Sequence, residues 1–159
     1  RMSELETLAS ADPLLGILNR RAFVGELNRA LAMTQRYGQP SSLIFIDLDD
    51  LKKINDALGH AAGDAALSHA AAVIASNIRQ TDVLGRLGGD EFAVILTNTG
   101  KAQAEQKARS LAALVKASPN SLGLPVGVTC GVVEIAGDLT AEAALTAADK
   151  VMYEEKRRK

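Results

Sequence analysis

Two short acidic clusters, each at one end of an apolar run, are the residues of this chain best equipped for chemistry. Asp47, Asp49 and Asp50 close the run "SSLIFIDLDD". Asp90 and Glu91 open the run "DEFAVIL", directly after Gly88 and Gly89. Taken singly, either cluster would be ordinary in a solvated turn. Taken together they ask for more, because carboxylates brought from neighbouring strand ends repel one another unless a cation joins them. Oxygen donors of this kind suit Mg²⁺ or Mn²⁺, ions that commonly share their coordination with substrate phosphates and water. Gly88 and Gly89 have no side chains, so the backbone of that turn can approach a ligand closely. The pattern is not a G-x-x-x-x-G-K-[ST] phosphate loop. It is not a dinucleotide fingerprint either, since "GRLGG" does not open a helix. Between the clusters lie Asn55 and Asp64, an amide and a carboxylate able to pair with a donor-rich edge such as N1 and N2 of guanine. A plain helix-surface role for Asn55 stays open on composition alone. His60 and His69 have no Cys or His partner at zinc-ligand spacing.

These residues must be held by a regular frame, and the patterning outlines one. "NRRAFVGELNRALAMTQRYG" has apolar positions at helical spacing, with Asn19 as N-cap and Gly38 as stop. "SSLIFIDLD" reads as a buried strand. The stretch from Leu51 to Arg79 reads as two helices with a break near residues 59–63. "DVLGRL" and "EFAVILTN" read as strands joined across Gly88-Gly89, a hairpin signal. A helix from Lys101 closes at Ser118-Pro119, a strand "VGVTCGVVEI" with a bend at Gly131 follows, and a last helix starts at Thr140 and ends in basic residues that suit the helix dipole. The order α β αα ββ α β α predicts an α+β fold: a mostly antiparallel central sheet flanked by helices. Residues 1–11, with Met2, Leu5 and Leu8 spaced by three, read as the end of a helical stem, and 12–159 as one domain.

Bulk composition narrows the function classes. The chain has 159 residues, 47% hydrophobic but only 3% aromatic, so its core must be aliphatic. Lys and Arg total 18 against 19 Asp and Glu, a net charge of −1, which argues against a nucleic-acid partner. One cysteine, Cys130, cannot form an internal disulfide and reads as a small buried hydrophobe in a reducing compartment. No apolar run is long enough for a membrane span, and no signal peptide is seen. A cytoplasmic domain is expected. The chain begins Arg1-Met2, so a preceding sensory or regulatory part, with or without a membrane anchor, is expected too.

"GGDEF", Gly88 to Phe92, is the signature of the GGDEF family of diguanylate cyclases, and the likeness extends well beyond five letters. "DPLLGILNRRAF" resembles the family's D-x-L-T-G-L-x-N-R-R-x-F, and "DLDDLKKINDALGHAAGD" resembles D-x-D-x-F-K-x-I-N-D-x-x-G-H-x-x-G-D. "RQTDVLGRLGGDEF" resembles R-x-x-D-x-x-x-R-x-G-G-D-E-F, and "AADKVMYEEK" resembles the closing A-D-x-A-L-Y-x-A-K. The resemblance implies a nucleotidyl-cyclase or polymerase palm that condenses two GTP into cyclic di-GMP with release of pyrophosphate. It implies Asp47, Asp90 and the Leu48 carbonyl as ligands of Mg²⁺ or Mn²⁺, and Glu91 as a group acting at the metal or near the attacking 3′-hydroxyl. It implies Asn55 and Asp64 on the guanine, and Lys52 and Lys156 on the triphosphate. One site per molecule and a two-fold symmetric product imply a homodimer. Arg79-x-x-Asp82 has the spacing of the family's inhibitory product site. A surface ion pair is the alternative. The sequence departs from the pattern at Leu15 (usually Thr), Leu51 (usually Phe) and Glu155 (usually small). The Arg expected four residues after Lys156 would fall beyond residue 159. The rival function is a domain that binds GTP or cyclic di-GMP without turnover. The intact motif acids favour the enzyme.

Overall fold

The computed structural model describes residues 10–136 and 138–159. Of the expected stem at residues 1–11, residues 1–9 lie outside the described residues, and Ala11 forms a bridge with Leu18. The elements run α1 (Arg20–Tyr37), β1 (Ser41–Leu48), α2 (Leu51–Leu58), α3 (His60–Ser76), β2 (Val83–Arg86), β3 (Glu91–Leu96), α4 (Lys101–Ala117), β4 (Val128–Ile135) and α5 (Ala141–Arg157). The order is the one the patterning predicts. The strands form one sheet in the order β2-β3-β1-β4, and every neighbouring pair is antiparallel.

Local signals account for several boundaries. The Asn19 side chain accepts a hydrogen bond from the Ala22 N–H, and Gly38 stops α1 in the left-handed conformation at φ 72°. Thr140 caps α5 by accepting from the Ala143 N–H. The break between α2 and α3 falls at Gly59, whose φ of 93° few side chains tolerate. Gly63 lies inside α3 and serves packing instead: a Cβ there would stand 2.8 Å from Cγ of Asn55.

Helices cover both faces of the sheet, so β1 is buried along its whole length. The period of two divides its side chains. Ile44, Ile46 and Leu48 join a core with residues of α3 and α4 such as Ile74 and Leu111. Leu43 and Phe45 join Phe23 and Leu27 of α1 and Leu145 and Met152 of α5 on the other face. That double cover explains why an antiparallel strand reads as a continuous apolar run, a pattern more usual in parallel sheets.

Two expectations change in detail. β4 runs as one strand through Gly131, and the glycine serves close packing: a Cβ there would stand 2.6 Å from the Ala148 carbonyl oxygen and 2.7 Å from the Met152 Cα. The turn between β2 and β3 does not use the positive φ of a two-glycine hairpin; neither Gly88 nor Gly89 has one. Four residues, 87–90, make the connection, with Leu87 N–H donating to the Glu91 carbonyl at 2.9 Å. Cys130 is partly buried against the core, and burial pushes its thiol up to about 12, which leaves it unreactive.

Because helix backbone, rather than a movable side chain, meets the Gly131 position, Gly131→Ala should destabilise the domain by about 1–3 kcal/mol, the usual cost of overpacking. Urea denaturation measures this. An unchanged midpoint would contradict the close contact between α5 and β4.

Candidate active site

The register of the central strands makes the site. Asp47 pairs directly with Glu91 across β1 and β3, and the Leu48 N–H donates to the Asp90 carbonyl at 2.9 Å, one step further. Directly opposed residues of an antiparallel pair share a face and sit close together, so like charges there are unfavourable. Asp47 faces the α5 side of the sheet, as Leu43 and Phe45 do. The buried chain on either side allows it no retreat: Asp47 is 9% exposed.

Lys156, in the last turn of α5, meets this acidic corner. Its Nζ donates to Asp47 Oδ2 at 2.8 Å and to the Leu48 carbonyl at 3.4 Å, and lies 3.7 Å from Asp49 Oδ1. Asp49 also accepts from Thr129 Oγ1 at 2.6 Å and from Lys159 Nζ at 2.9 Å, and these partners hold its carboxyl below the usual range despite burial. Asp47 behaves oppositely. Burial, reinforced by the neighbouring Asp90 charge, outweighs the Lys156 ammonium and raises its pKa to about 6. The ammonium in turn is pushed up by its bond to Asp47, against the opposing effect of burial. Burial, then Asp149 and Asp90, raises Glu91.

The other oxygen of Asp47, Oδ1, is buried and accepts no hydrogen bond. An orphaned carboxylate oxygen facing further acids is costly unless something satisfies it. The Asp47 carboxylate, the Leu48 carbonyl and the Asp90 carboxylate form a hard-oxygen set that fits Mg²⁺ or Mn²⁺. No group of three or more His, Cys, Asp or Glu side chains among the described residues is placed to cage a metal.

The "GG" turn is fastened by a residue that the sequence reading did not single out for the site. Arg86 Nε donates to the Gly88 carbonyl at 3.1 Å and Nη2 to the Gly89 carbonyl at 2.8 Å, while Nη1 pairs with Asp12 Oδ2 at 3.3 Å. Asp12 Oδ2 also accepts from the N–H groups of Leu14 and Leu15 at 3.0 and 2.9 Å. The planar fork of arginine thus ties the turn before Asp90 to the start of the domain. The spacing alone could not show this, since Asp12 and Arg86 are 74 residues apart. Over Gly88, a Cβ would stand 2.6 Å from Glu91 Oε1; at Gly89 it would meet nothing within 4 Å.

The remaining residues are spread along this end and beyond it. Asn55, on α2, packs its amide on Gly63, with Oδ1 buried and unpartnered. Asp64, on α3, and Lys52, on α2, are exposed. His69 is engaged with the Val115 carbonyl at 2.9 Å, a packing role. Arg79 and Asp82 lie elsewhere, between the end of α3 and β2. The Asp82 side chain is 1% exposed and its oxygens are taken: Oδ1 by Arg79 Nη2 at 3.1 Å and the Thr97 N–H at 3.2 Å, Oδ2 by the Arg79 N–H at 2.9 Å. The Arg79 side chain is 56% exposed and borders a cleft of about 500 Å³ with Gln103 and Lys107.

The family profile described as "Diguanylate cyclase, GGDEF domain" matches residues 9–159. The chain is 36% identical over 152 residues to diguanylate cyclase DgcP of Pseudomonas aeruginosa, covering 94% of this chain and 23% of that protein. It is 39% identical over 155 residues to response regulator PleD of Caulobacter vibrioides, covering 94% and 34%. The chain therefore spans about a quarter to a third of these curated relatives. Among solved structures, a sensory box/GGDEF family protein from Caulobacter crescentus superposes with a TM-score of 0.87 at 35% identity, covering 94% of this chain and 99% of that one. The coiled coil and GGDEF domain of DgcB from the same organism, solved in complex with c-di-GMP, gives 0.90 at 26% identity, covering 98% and 84%.

The raised Asp47 carboxyl makes stability depend on pH. A carboxyl whose folded pKa exceeds its unfolded value contributes stability that is present below the unfolded value and lost as pH rises through the folded one. Between pH 4 and pH 7 the metal-free protein should therefore lose stability relative to Asp47→Asn, by on the order of 1–3 kcal/mol. Chemical denaturation at the two pH values tests this; a difference independent of pH would refute the raised carboxyl.

Proposed function

The chain belongs to the GGDEF diguanylate cyclase family, and from that premise we propose that it condenses two GTP into cyclic di-GMP with release of two pyrophosphates. The observation that carries the proposal is the acidic corner of Asp47, Glu91 and Asp90, with one buried Asp47 oxygen left unsatisfied. Acids opposed at buried strand ends cost stability, and a role with a cationic ligand accounts for that cost.

In this reading Asp47, Asp90 and the Leu48 carbonyl hold Mg²⁺ or Mn²⁺. A bound divalent ion would polarise the α-phosphate and neutralise the leaving pyrophosphate. The 3′-oxygen of each nucleotide forms a bond to the α-phosphorus of the other while the bond to pyrophosphate breaks. The hydroxyl proton must leave as that bond forms. Glu91, paired opposite Asp47 at the strand end, is assigned either to the metal or to the region of that hydroxyl. Asn55 and Asp64 are assigned to the guanine by their match to the family motif; Asn55 Oδ1 is packed against Gly63, so the amide must turn outward to meet a base. Lys52 and Lys156 meet the triphosphate, and the open Cβ position of Gly89 leaves room for a nucleotide against the turn. The gain comes from positioning and charge, as in other phosphoryl transfers.

Each chain has one such corner, so the two nucleotides are brought together by a homodimer, which a preceding sensory or regulatory domain controls. No helix among the described residues is long and apolar enough to cross a membrane; the domain works in the cytoplasm beside its GTP. Arg79 bordering its cleft is the proposed product site, where cyclic di-GMP inhibits. Asp82 in that case acts by orienting the guanidinium, because its oxygens are already engaged.

Incubation with GTP and Mg²⁺ at high and low protein concentration, followed by chromatography, tests the reading. Cyclic di-GMP should form, with a specific rate that rises with protein concentration, and Asp90→Ala should lower it by at least about a hundredfold. GTP binding without product at any concentration would favour the non-catalytic binding domain. Arg79→Ala should raise the concentration of cyclic di-GMP that halves the initial rate; an unchanged inhibition curve would remove the product-site assignment.

A further inference from the structure

The cation nearest the acidic corner is one the chain supplies itself. Lys156 Nζ lies 2.8 Å from Asp47 Oδ2 and 3.4 Å from the Leu48 carbonyl oxygen. Those are two of the three groups assigned above to the metal. An ammonium on Oδ2 and a divalent ion on Oδ1 of the same carboxylate would be near neighbours, and two cations so placed repel one another.

The position of this ammonium is built into the fold. Ala148, Met152 and Lys156 follow one another at four-residue spacing on a single face of α5. The first two are buried on the sheet, and α5 approaches closely because residue 131 is glycine. The face that is pinned at Gly131 therefore delivers Lys156 to the end of β1. Asp49, itself held by Thr129 Oγ1 at 2.6 Å, stands 3.7 Å from Nζ on the other side. The Lys156 side chain is only 29% exposed, unlike a lysine free to wander on a surface.

We propose that Lys156 is the resident cation of the site, and that a divalent ion enters only when a nucleotide's phosphates draw the ammonium away. The inference rests on the metal reading above and adds an order of events to it. Without nucleotide, Lys156 neutralises Asp47 and competes with free metal. With nucleotide, the same side chain moves to the triphosphate and takes its charge away from the Asp47 and Leu48 oxygens. Metal and nucleotide then bind with positive coupling, each strengthening the other.

The test is Mn²⁺ binding to the whole chain, followed by loss of the free-ion paramagnetic resonance signal, with and without 3′-deoxy-GTP, which lacks the attacking hydroxyl. The parent should bind Mn²⁺ weakly alone and, once the signal lost to Mn²⁺ on the nucleotide without protein is subtracted, at least about tenfold more tightly with the nucleotide. Lys156→Met should bind Mn²⁺ alone about tenfold more tightly than the parent, and Lys156→Arg, which keeps a cation there, should not. Lys156→Gln replaces the Met variant if circular dichroism shows that one unfolded. Equal nucleotide-free affinity in parent and Lys156→Met would overturn the inference, while leaving the metal reading intact if Asp47→Asn still weakens binding. Should Asp47→Asn in the Lys156→Met background leave Mn²⁺ binding unchanged, the metal reading itself falls, and the inference with it.

Discussion

Pairing between β1 and β3 sets Asp47 opposite Glu91 and carries Asp90 one residue beyond, so carboxylates meet at the buried end of the two central strands. The register cannot slip to relieve them. A shift by one residue would turn Phe45 and Ile46 to the wrong faces and expose both halves of the core. Burial of β1 on both faces thus forces the electrostatic problem, and hydrophobic packing elsewhere outweighs its cost.

The molecule answers that problem at several points. Lys156 supplies a positive charge from the last helix, and Asp49 is calmed by Thr129 and Lys159. Arg86 draws the carbonyls of Gly88 and Gly89 toward Asp12, which fixes the turn before the acids without adding a charge among them. The Asp47 Oδ1 atom is what these contacts leave unsatisfied.

Small residues set the distances. Gly131 lets α5 lie on β4, and Gly63 lets the Asn55 amide settle against α3. Neither glycine is needed for an unusual backbone angle at its own position. Arg79 and Asp82 form a second polar node at the far end of α3, where the buried carboxylate also receives the Thr97 N–H at the close of β3. The node therefore joins helix and sheet whether or not a ligand visits its cleft.

Much of this was legible in one dimension. The element order, the caps at Asn19, Gly38 and Thr140, and the acids at the strand ends follow from local rules: periodicity, backbone freedom and side-chain capping act between residues a few positions apart. The motif spacings were enough to name the family. What the tertiary structure alone decided was every contact across long separations: Asp47 against Glu91, Arg86 against Asp12, Lys156 against the Asp47 carboxylate, and α5 against Gly131. Sequence suggested a bend at Gly131 and a glycine hairpin at 88–89, because a glycine's freedom is visible locally. The real demand on Gly131 was space for a helix that arrives later in the chain, and the turn at 88–89 was held by the neighbouring Arg86 guanidinium, itself anchored on the distant Asp12. Local chemistry fixes which elements form; only their packing determines which charges must face one another.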